Sequence, residues 1–386
     1  MTWSIAPVVD WLMHKGRHLA TREAVVGEIC ARVRAAGMPV DRVAFFFYAL
    51  HPQYFGVALY WDGEKVVARP GDHDFLDTAE YRDSPAARIS AGERTIRRRL
   101  DVPDQQLDFP FLHELKSAGL TDYVIAEVVF SDGARNAVSL ATRRPGGFTD
   151  HDIAEIEKLL HPFALVMEIH SGRELARTLL ETYLGRISGP RVLAGQIRRG
   201  DGQSIDAVIW FSDLRESTPL SASLGEQRFL ELLNDYFLAT AGAVLDHGGE
   251  VLRFIGDASL AVFPTSGEPP AAACARAAEA ARAARLRVRS ANAARADAGL
   301  PAFSCGIGLH LGRVHYGNIG TPQRLEFSVI GAAANKAARI EALCKDTGED
   351  VVLSSAVAAT LGAGCRSLGH YPLRGVAGAE EVFALA

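Results

Sequence analysis

A run of apolar residues in the second half of the chain constrains the fold more than any other feature. The segment Ile205–Phe211 is apolar at every position except Asp206. This pattern is typical of a β-strand that is buried on both faces of its sheet. Because 386 residues are too many for one ordinary hydrophobic core, we expect the sheet to belong to one of two domains.

Two aspartates fall at the ends of predicted strands. Asp213 comes just after the apolar run, and Gly256-Asp257 forms the tight turn of a strand–turn–strand pattern, GGEVLRFIGDASLAVFP. If this hairpin lies beside the first strand, the two carboxylates face each other. Carboxylates held so close ionise together only around cations, and their oxygen atoms suit Mg²⁺ or Mn²⁺.

A third segment, RLEFSVIGAAANKAARIEALCK, begins as a strand and becomes a helix near Ala333. Asn335 and Arg339 are four residues apart, so they lie one turn apart on the same helix face. An amide beside a guanidinium forms a donor cluster that matches sugar and phosphate oxygens.

Taken in this order, the segments resemble the catalytic domain of the class III adenylate and guanylate cyclases over residues 203–386. The matching motifs are Phe211-Ser212-Asp213-Leu214-Arg215, Arg253-Phe254-Ile255-Gly256-Asp257, Tyr316-Gly317-Asn318-Ile319-Gly320, Asn335 with Arg339, and the closing stretch LRGVAGAEEVFAL. The resemblance implies an α+β fold: a ferredoxin-like palm with a mostly antiparallel sheet and flanking helices.

The resemblance also implies a homodimer with its active sites at the subunit interface. Asp213 and Asp257, with the backbone of Leu214, would hold two Mg²⁺ or Mn²⁺ ions per site. One ion would lower the pKa of the ribose 3′-hydroxyl and the other would bind the triphosphate. From the second subunit, Asn335 would orient the ribose and Arg339 would neutralise charge at the α-phosphate.

Phosphate contacts are implied for one stretch of backbone and one basic side chain. The backbone lies at a helix start, and its residues are Leu214, Arg215, Glu216, Ser217 and Thr218. Arg374 stands where the family usually has a phosphate-binding lysine.

Two positions bear on the choice of base. Adenylate cyclases usually place lysine where this chain has Arg253, and aspartate or threonine where it has Ser328. Guanylate cyclases usually place glutamate and cysteine there. Guanine requires an acceptor for its N–H groups, and Arg253 cannot accept a hydrogen bond. The sequence therefore favours ATP as the substrate, converted to cyclic AMP and pyrophosphate.

Other functions remain open at this stage. The chain could be a guanylate cyclase, or a catalytically weak or silent module that senses nucleotides, although such modules usually lose a metal aspartate or the Asn/Arg pair. A diguanylate cyclase would carry Gly-Gly-Asp/Glu-Glu-Phe at the hairpin, whereas this chain reads Ile255-Gly256-Asp257-Ala258-Ser259.

Residues 1–170 predict a separate α+β domain. A helix over 21–36 precedes strand-like segments with Asp-Gly turns, and the closing motif PGGFTDHDIAEIEKLL resembles the end of a GAF-type sensor domain. Apolar residues recur at helical spacing over 153–184, but Pro162 and Ser171-Gly172 interrupt this pattern, so we do not expect a single straight coiled coil. We predict a helical connector and linker over 171–202. An unidentified small molecule or protein would be the input to this regulatory domain.

Composition limits the partners and the compartment. A net charge of −5 gives no case for nucleic acid or an anionic membrane surface, and no apolar run approaches the roughly 18–20 residues of a membrane span. Five scattered cysteines without CxxC spacing predict reduced thiols. The N-terminus lacks the features of a signal peptide. We expect a cytoplasmic protein.

Overall fold

The computed structural model describes residues 3–101, 107–376 and 378–386, and the chain divides into two compact units, Met1–Leu179 and Leu180–Ala386. No helix in these described ranges is long and apolar enough to cross a membrane.

The first unit contains a six-stranded antiparallel sheet of strand order β3-β2-β1-β6-β5-β4. Its strands are β1 Arg42–Tyr48, β2 Tyr54–Trp61, β3 Val66–Asp72, β4 Thr95–Arg99, β5 Asp122–Val129 and β6 Arg135–Thr142. Its helices are α1 Ala6–His14, α2 Arg22–Ala35, α3 Ala79–Arg82, α4 Pro85–Ser90, α5 Phe111–Ser117 and α6 Asp150–Leu184, with 3₁₀ turns at Gly16–His18 and His73–Asp77.

The main core of this unit lies between one face of the sheet and helices α1, α2 and α6. Phe45 and Phe47 of β1 pack there against Phe163 of α6. The Asp-Gly turns predicted at Asp62-Gly63 and Asp132-Gly133 connect β2 to β3 and β5 to β6. The charged segment 83–101 contains α4 and the edge strand β4.

Helix α6 is longer than the sequence suggested. It runs without a break from Asp150 to Leu184, so the predicted interruptions at Pro162 and at Ser171-Gly172 are wrong. Proline removes one backbone donor from a helix interior without ending the helix if its neighbours hold it. Phe163, Val166 and Met167, which follow Pro162, are buried in the core and fix the helix at that point.

The second unit contains an eight-stranded sheet of order β13-β14-β12-β10-β7-β9-β8, with β11 paired to β10. Among the strands that the structure describes, only the β10–β12 pair is parallel. The strands are β7 Gly202–Leu214, β8 Glu250–Ile255, β9 Ala258–Pro264, β10 Cys305–Thr321, β11 Arg324–Ile330, β12 Val351–Ser354, β13 Cys365–Pro372 and β14 Ala379–Leu385. The helices are α7 Ser188–Leu193, α8 Ser217–Leu224, α9 Glu226–Asp246, α10 Pro270–Asp297, α11 Ala332–Thr347 and α12 Ser355–Leu361, with a 3₁₀ turn at Gly362–Gly364.

Strand β7 is buried on both faces, as its sequence predicts. Val208 and Trp210 pack with helices α9 and α10, whereas Ala207 and Ile209 pack with helix α11 on the other face. Helix α10 approaches the sheet closely because its buried positions are mostly alanine. The predicted α+β class with a mostly antiparallel sheet is confirmed for this unit.

A buried carboxylate ties the segment before α7 to the sheet. Glu250, the first residue of β8, is 1% exposed. Its carboxylate accepts hydrogen bonds from the backbone N–H groups of Ile187 (3.0 Å) and Ser188 (2.8 Å), and from the Ser188 hydroxyl (3.0 Å). The hydroxyl of Tyr316 on β10 donates to the same carboxylate, so four donors from two distant parts of the chain satisfy it.

Candidate active site

Strand pairing brings Asp213 and Asp257 together. Asp213 lies opposite Ala258 of β9 on one side and opposite Gly306 of β10 on the other. Asp257 occupies the two-residue turn between β8 and β9, and its carbonyl accepts a hydrogen bond from the Leu214 N–H (3.3 Å). Asp213 is the penultimate residue of β7 rather than a residue beyond the strand.

The two carboxylates influence each other. Burial raises the pKa of Asp213 most, and the charge of the neighbouring Asp257 carboxylate raises it further. A hydrogen bond between the two side chains acts in the same direction. The guanidinium of Arg215 opposes this shift. Two half-buried carboxylates so close together fit a divalent cation, because the cation offsets the repulsion between them.

The sequence analysis missed Glu341. This residue of α11 is buried and pairs with Arg215 at 3.0 Å. Burial raises the pKa of Glu341 to about 7, Arg215 acts against this, and the charges of Asp213 and Asp257 add to it. Glu341 therefore lies within electrostatic reach of the aspartate pair, and its only sequence signal is its place two residues after Arg339.

Two glycines of β10 make room for this arrangement. A Cβ atom at Gly306 would lie 2.0 Å from Arg215 Nη2 and 2.3 Å from Glu341 Oε1. A Cβ atom at Gly308 would lie 2.5 Å from the backbone nitrogen of Glu341 and 2.6 Å from the Ala337 carbonyl. Helix α11 can thus lie directly on β10 only because these positions have no side chain.

We expect Glu341→Gln to flatten the pH dependence of stability in metal-free protein. Since folding raises the Glu341 pKa from its ordinary 4.5 to about 7, the associated stability is complete below about pH 4.5 and is lost as the pH rises through about 7. Glutamine does not titrate, so the variant should lack a loss on the order of 2 kcal/mol between pH 5 and 8. Denaturant unfolding in EDTA measures this loss.

The control for that experiment is Glu279→Gln, which removes an exposed carboxylate paired with Arg282 on α10. This variant should keep the wild-type pH dependence. A Glu341→Gln protein with the same pH dependence as the wild type would contradict the burial of an ionisable carboxyl at this position.

The backbone after Asp213 forms a strained turn before α8. Glu216 has φ 55°, the only positive φ of a non-glycine residue in the described part of the chain. Helix α8 begins at Ser217 without a side-chain cap. Its first N–H groups have no intrahelical partners. Within the predicted phosphate-binding stretch, the N–H groups of Leu214 and Arg215 donate to the carbonyls of Asp257 and Ser304, and the helix start itself begins at Ser217.

Asn335 and Arg339 lie one turn apart on α11, as predicted. Neither side chain makes a hydrogen bond or ion pair with any described residue. A Cβ atom at Gly375 would lie 3.5 Å from Arg339 Nη2, so the guanidinium lies beside the turn that follows β13. Arg374 is in this turn and is exposed, and the closing strand begins only at Ala379.

The two base-choice positions have a neighbour that the sequence analysis did not consider. Arg253 on β8 forms an ion pair with Glu326 on β11, with Nε and Oε1 3.0 Å apart. Glu326 and the buried Ser328 are two residues apart on β11 and therefore lie on the same face of the strand. The Arg253 guanidinium is therefore held by a carboxylate on the neighbouring strand.

The described residues contain no group of three or more His, Cys, Asp or Glu side chains arranged to hold a metal ion. The aspartate pair is thus a two-carboxylate site. Such a site leaves most coordination positions of a Mg²⁺ ion to water or to oxygen atoms of a bound nucleotide, which is how this ion usually binds.

The fold and this site define a catalytic domain of the nucleotidyl cyclase kind. The sequence profile of the adenylate and guanylate cyclase catalytic domain matches residues 202–386. The second half of the chain is therefore a class III adenylate/guanylate cyclase catalytic domain.

Two adenylate cyclases are among the relatives that this chain resembles. Adenylate cyclase 1 of Rhizobium meliloti is 30% identical over 159 residues, which cover 40% of this chain and 23% of that protein. The adenylate cyclase of Anabaena cylindrica is 33% identical over 154 residues, covering 40% of this chain and 30% of that protein. The chain thus matches less than a third of the length of either relative.

Two solved structures are also similar to part of this chain. The adenylyl cyclase CyaB from P. aeruginosa aligns with 22% identity and a TM-score of 0.45, covering 48% of this chain and 95% of that one. The guanylyl cyclase Cya2 aligns with 29% identity and a TM-score of 0.43, covering 48% of this chain and 93% of that one.

Proposed function

We propose that the protein is an adenylate cyclase that converts ATP to 3′,5′-cyclic AMP and pyrophosphate. The observation that carries this proposal is the approach of Asp213 and Asp257 at the edge of a class III cyclase domain. Class III cyclases generally use divalent metal ions. We take Asp213, Asp257 and the Leu214 backbone as the residues that hold two Mg²⁺ or Mn²⁺ ions here, which would activate the ribose 3′-hydroxyl and neutralise the triphosphate.

The remaining residues of the site would bind and orient the nucleotide. The N–H groups of Ser217 and Thr218 at the start of α8 suit a phosphate group, since a helix start attracts anions. The unpaired guanidinium of Arg339 suits charge that develops at the α-phosphate, and Asn335 beside it suits the ribose. Arg374 is exposed near Arg339 and can donate to the departing pyrophosphate.

The geometry of α11 supports a site shared by two copies of the chain. Glu341 points toward Arg215 and the aspartate pair of its own chain. Arg339 precedes it by two residues, which is a rotation of about 200° around the helix axis. Arg339 and Asn335 therefore face away from the aspartates of their own chain. An aspartate pair that works together with them must come from a second copy of the chain.

Apolar exposure around the hairpin also supports a homodimer. Phe254 and Ile255, directly before the Gly256-Asp257 turn, are 53% and 43% exposed. Leu238 on α9 is 73% exposed and follows Phe237, whose ring lies 4.3 Å from that of Phe254. Large apolar side chains gathered beside a catalytic hairpin are typical of a surface that a second subunit covers.

Glu326 favours a second candidate, a guanylate cyclase. Guanine offers N–H groups that need an acceptor, and the Glu326 carboxylate beside Ser328 supplies one. Arg253 remains a donor for N1 of adenine through its Nη atoms. The silent nucleotide-sensing alternative is less well supported, because both metal aspartates and the Asn335/Arg339 pair are present.

We further propose that the first unit is a GAF-like regulatory domain over residues 1–170, that 171–202 connects it to a catalytic domain over 203–386, and that the protein is cytoplasmic. The mixed sheet-and-helix architecture of the first unit, with its closing helix α6, is compatible with this assignment.

We expect cyclic AMP and pyrophosphate from purified protein with ATP and Mn²⁺ or Mg²⁺, and a lower kcat/KM with GTP. In the Glu326→Gln variant, the preference for ATP over GTP should rise about tenfold, because guanine loses a charged acceptor worth about 1.4 kcal/mol. Chromatography of the products from each nucleotide, supplied separately with each metal, measures both quantities.

Glu279→Gln on α10 is the matched control and should leave the nucleotide preference unchanged. A wild-type protein that makes only cyclic GMP would replace the first candidate by the second. A protein that binds nucleotide but releases no cyclic product with either metal would contradict both.

A further inference from the structure

The first unit contains an open cavity of about 1110 Å³ on the sheet face opposite its main core. It arises from β1, which is aromatic on both faces. Phe45 and Phe47 fill the core, whereas the alternate residues Phe46 and Tyr48 are only half-buried and line the cavity. A sheet face with large unpacked aromatic side chains needs an occupant to bury them.

Small residues create the space. Ala58 and Gly56 of β2 lie opposite Phe46 and Tyr48 in the strand register. Neither fills the volume above the sheet, and helices α3, α4 and α5 border this volume without entering it. The cavity lies on the middle of β2, with a wall of aromatic rings around it.

The aromatic wall comprises six rings in two groups: Phe46 contacts Tyr60, and the other four form a cluster centred on Phe55. Its members are Phe46, Tyr48, Phe55, Tyr60, Phe75 and Tyr81. Ring-centroid distances between neighbours range from 5.9 to 6.2 Å. A planar ring that enters the cavity can stack on this wall or meet it edge-on, the two arrangements that aromatic pairs prefer.

Two guanidinium groups stand at one end of the wall. Arg42 and Arg69 lie over the Tyr60 ring, at 5.4 and 5.2 Å from its centroid. In the described part of the chain neither forms an ion pair with a carboxylate. The nearby acids are engaged elsewhere: Asp41 accepts from the Arg143 N–H, and Asp62 accepts from the N–H groups of its own turn.

The other end of the wall is uncharged or acidic. Hydroxyl groups of Tyr48 and Tyr81 are hydrogen-bonded at 2.5 Å, and Ser90 contacts Tyr48 as well. Asp72, which pairs with Tyr54 at this end of β2, and Glu80 beside Tyr81 repel an anion. The charge distribution therefore favours one orientation of a bound ligand, with an anionic group toward Arg42 and Arg69.

We propose that this cavity binds a planar aromatic small molecule that carries one anionic group, with the anion at Arg42 and Arg69 and the ring along the aromatic wall. The volume suits a molecule of two to four fused or linked rings, because ligand cavities of several hundred to about 1,000 Å³ hold molecules of drug size. Binding would place such a ligand against β1, β2 and α3 of the first unit.

The test uses two fluorescent probes that differ by one charge, 8-anilinonaphthalene-1-sulfonate and its neutral counterpart N-phenyl-1-naphthylamine. We expect each to bind the full chain at one site. The double variant Arg42→Met/Arg69→Met should weaken binding of the sulfonate about tenfold and change binding of the neutral probe by less than about threefold. Equal effects on the two probes would overturn the anionic assignment.

Two blocking variants test the position of the site. Ala58→Trp fills the cavity floor, and Val67→Trp narrows the rim at a position that is 39% exposed and therefore tolerant of a large side chain. Both should reduce binding of both probes at least tenfold, with unchanged circular dichroism in the Val67→Trp protein. Unchanged binding in that folded variant would overturn the proposal. The readout is fluorescence, so the result does not depend on cyclase activity.

Discussion

Asp257→Ala and Arg339→Ala proteins should each lose at least about 100-fold in cyclase activity and should regain activity when they are mixed. In the proposed shared site, Asp257 belongs to the half that one copy provides, and Arg339 to the half that a second copy provides. In a heterodimer of the two variants, one composite site carries both lesions and the other carries neither. Random exchange gives heterodimers in half of the dimers, so about a quarter of all sites should be intact.

A second mixture is the control for this complementation. Asp257→Ala with Asp213→Ala combines two lesions in the same half-site, so every site of the heterodimer lacks one aspartate and no activity should return. Measuring cyclic AMP after mixing, with subunit exchange verified by differently tagged copies, separates the outcomes. Recovery in both mixtures, or in neither, would contradict a site shared between subunits.

Gly308→Val should displace helix α11 and remove both stability and activity. Any side chain at this position meets the backbone of Glu341 and Ala337 at 2.5–2.6 Å, and backbone atoms in a packed helix cannot move aside individually. We expect a loss of about 3 kcal/mol in the free energy of unfolding. The protein that remains folded should have little cyclase activity, since Asn335, Arg339 and Glu341 all lie on α11.

Gly364→Ala is the control for Gly308→Val. A Cβ atom at Gly364 would have no neighbour closer than 3.8 Å, and its φ is not positive. Thermal unfolding followed by circular dichroism, together with cyclase assays at equal folded concentration, compares the two variants. A Gly308→Val protein with wild-type stability would show that α11 does not depend on close contact with β10.

The strands and the aspartate pair could be predicted because local signals agree with the final fold. The apolar run around Trp210 predicts a strand buried on both faces, and Gly256-Asp257 predicts the adjacent hairpin turn. Once these two elements are neighbours, strand register alone brings Asp213 near Asp257. The position of Asn335 and Arg339 on one face of a helix also follows from the helical repeat alone.

The ion pairs around the site could not be predicted in the same way. Arg253 and Glu326 are 73 positions apart, and Arg215 and Glu341 are 126 apart, so only the assembled sheet shows which charges meet. The cavity was missed for a related reason. The apolar segment 43–50 indicates a strand but does not show that only one of its faces is packed.

The carboxylate of Glu250 links the segment before strand β7 to strand β8. If Ile187 and Ser188 shift, Glu250 must follow, because a buried carboxylate left without its donors is strongly disfavoured. Glu250 begins strand β8, and the turn after that strand carries Asp257, about 20 Å further along. The residues that follow helix α6 are thereby bound, through one buried carboxylate, to the strand that leads to one of the two acids on which turnover would depend.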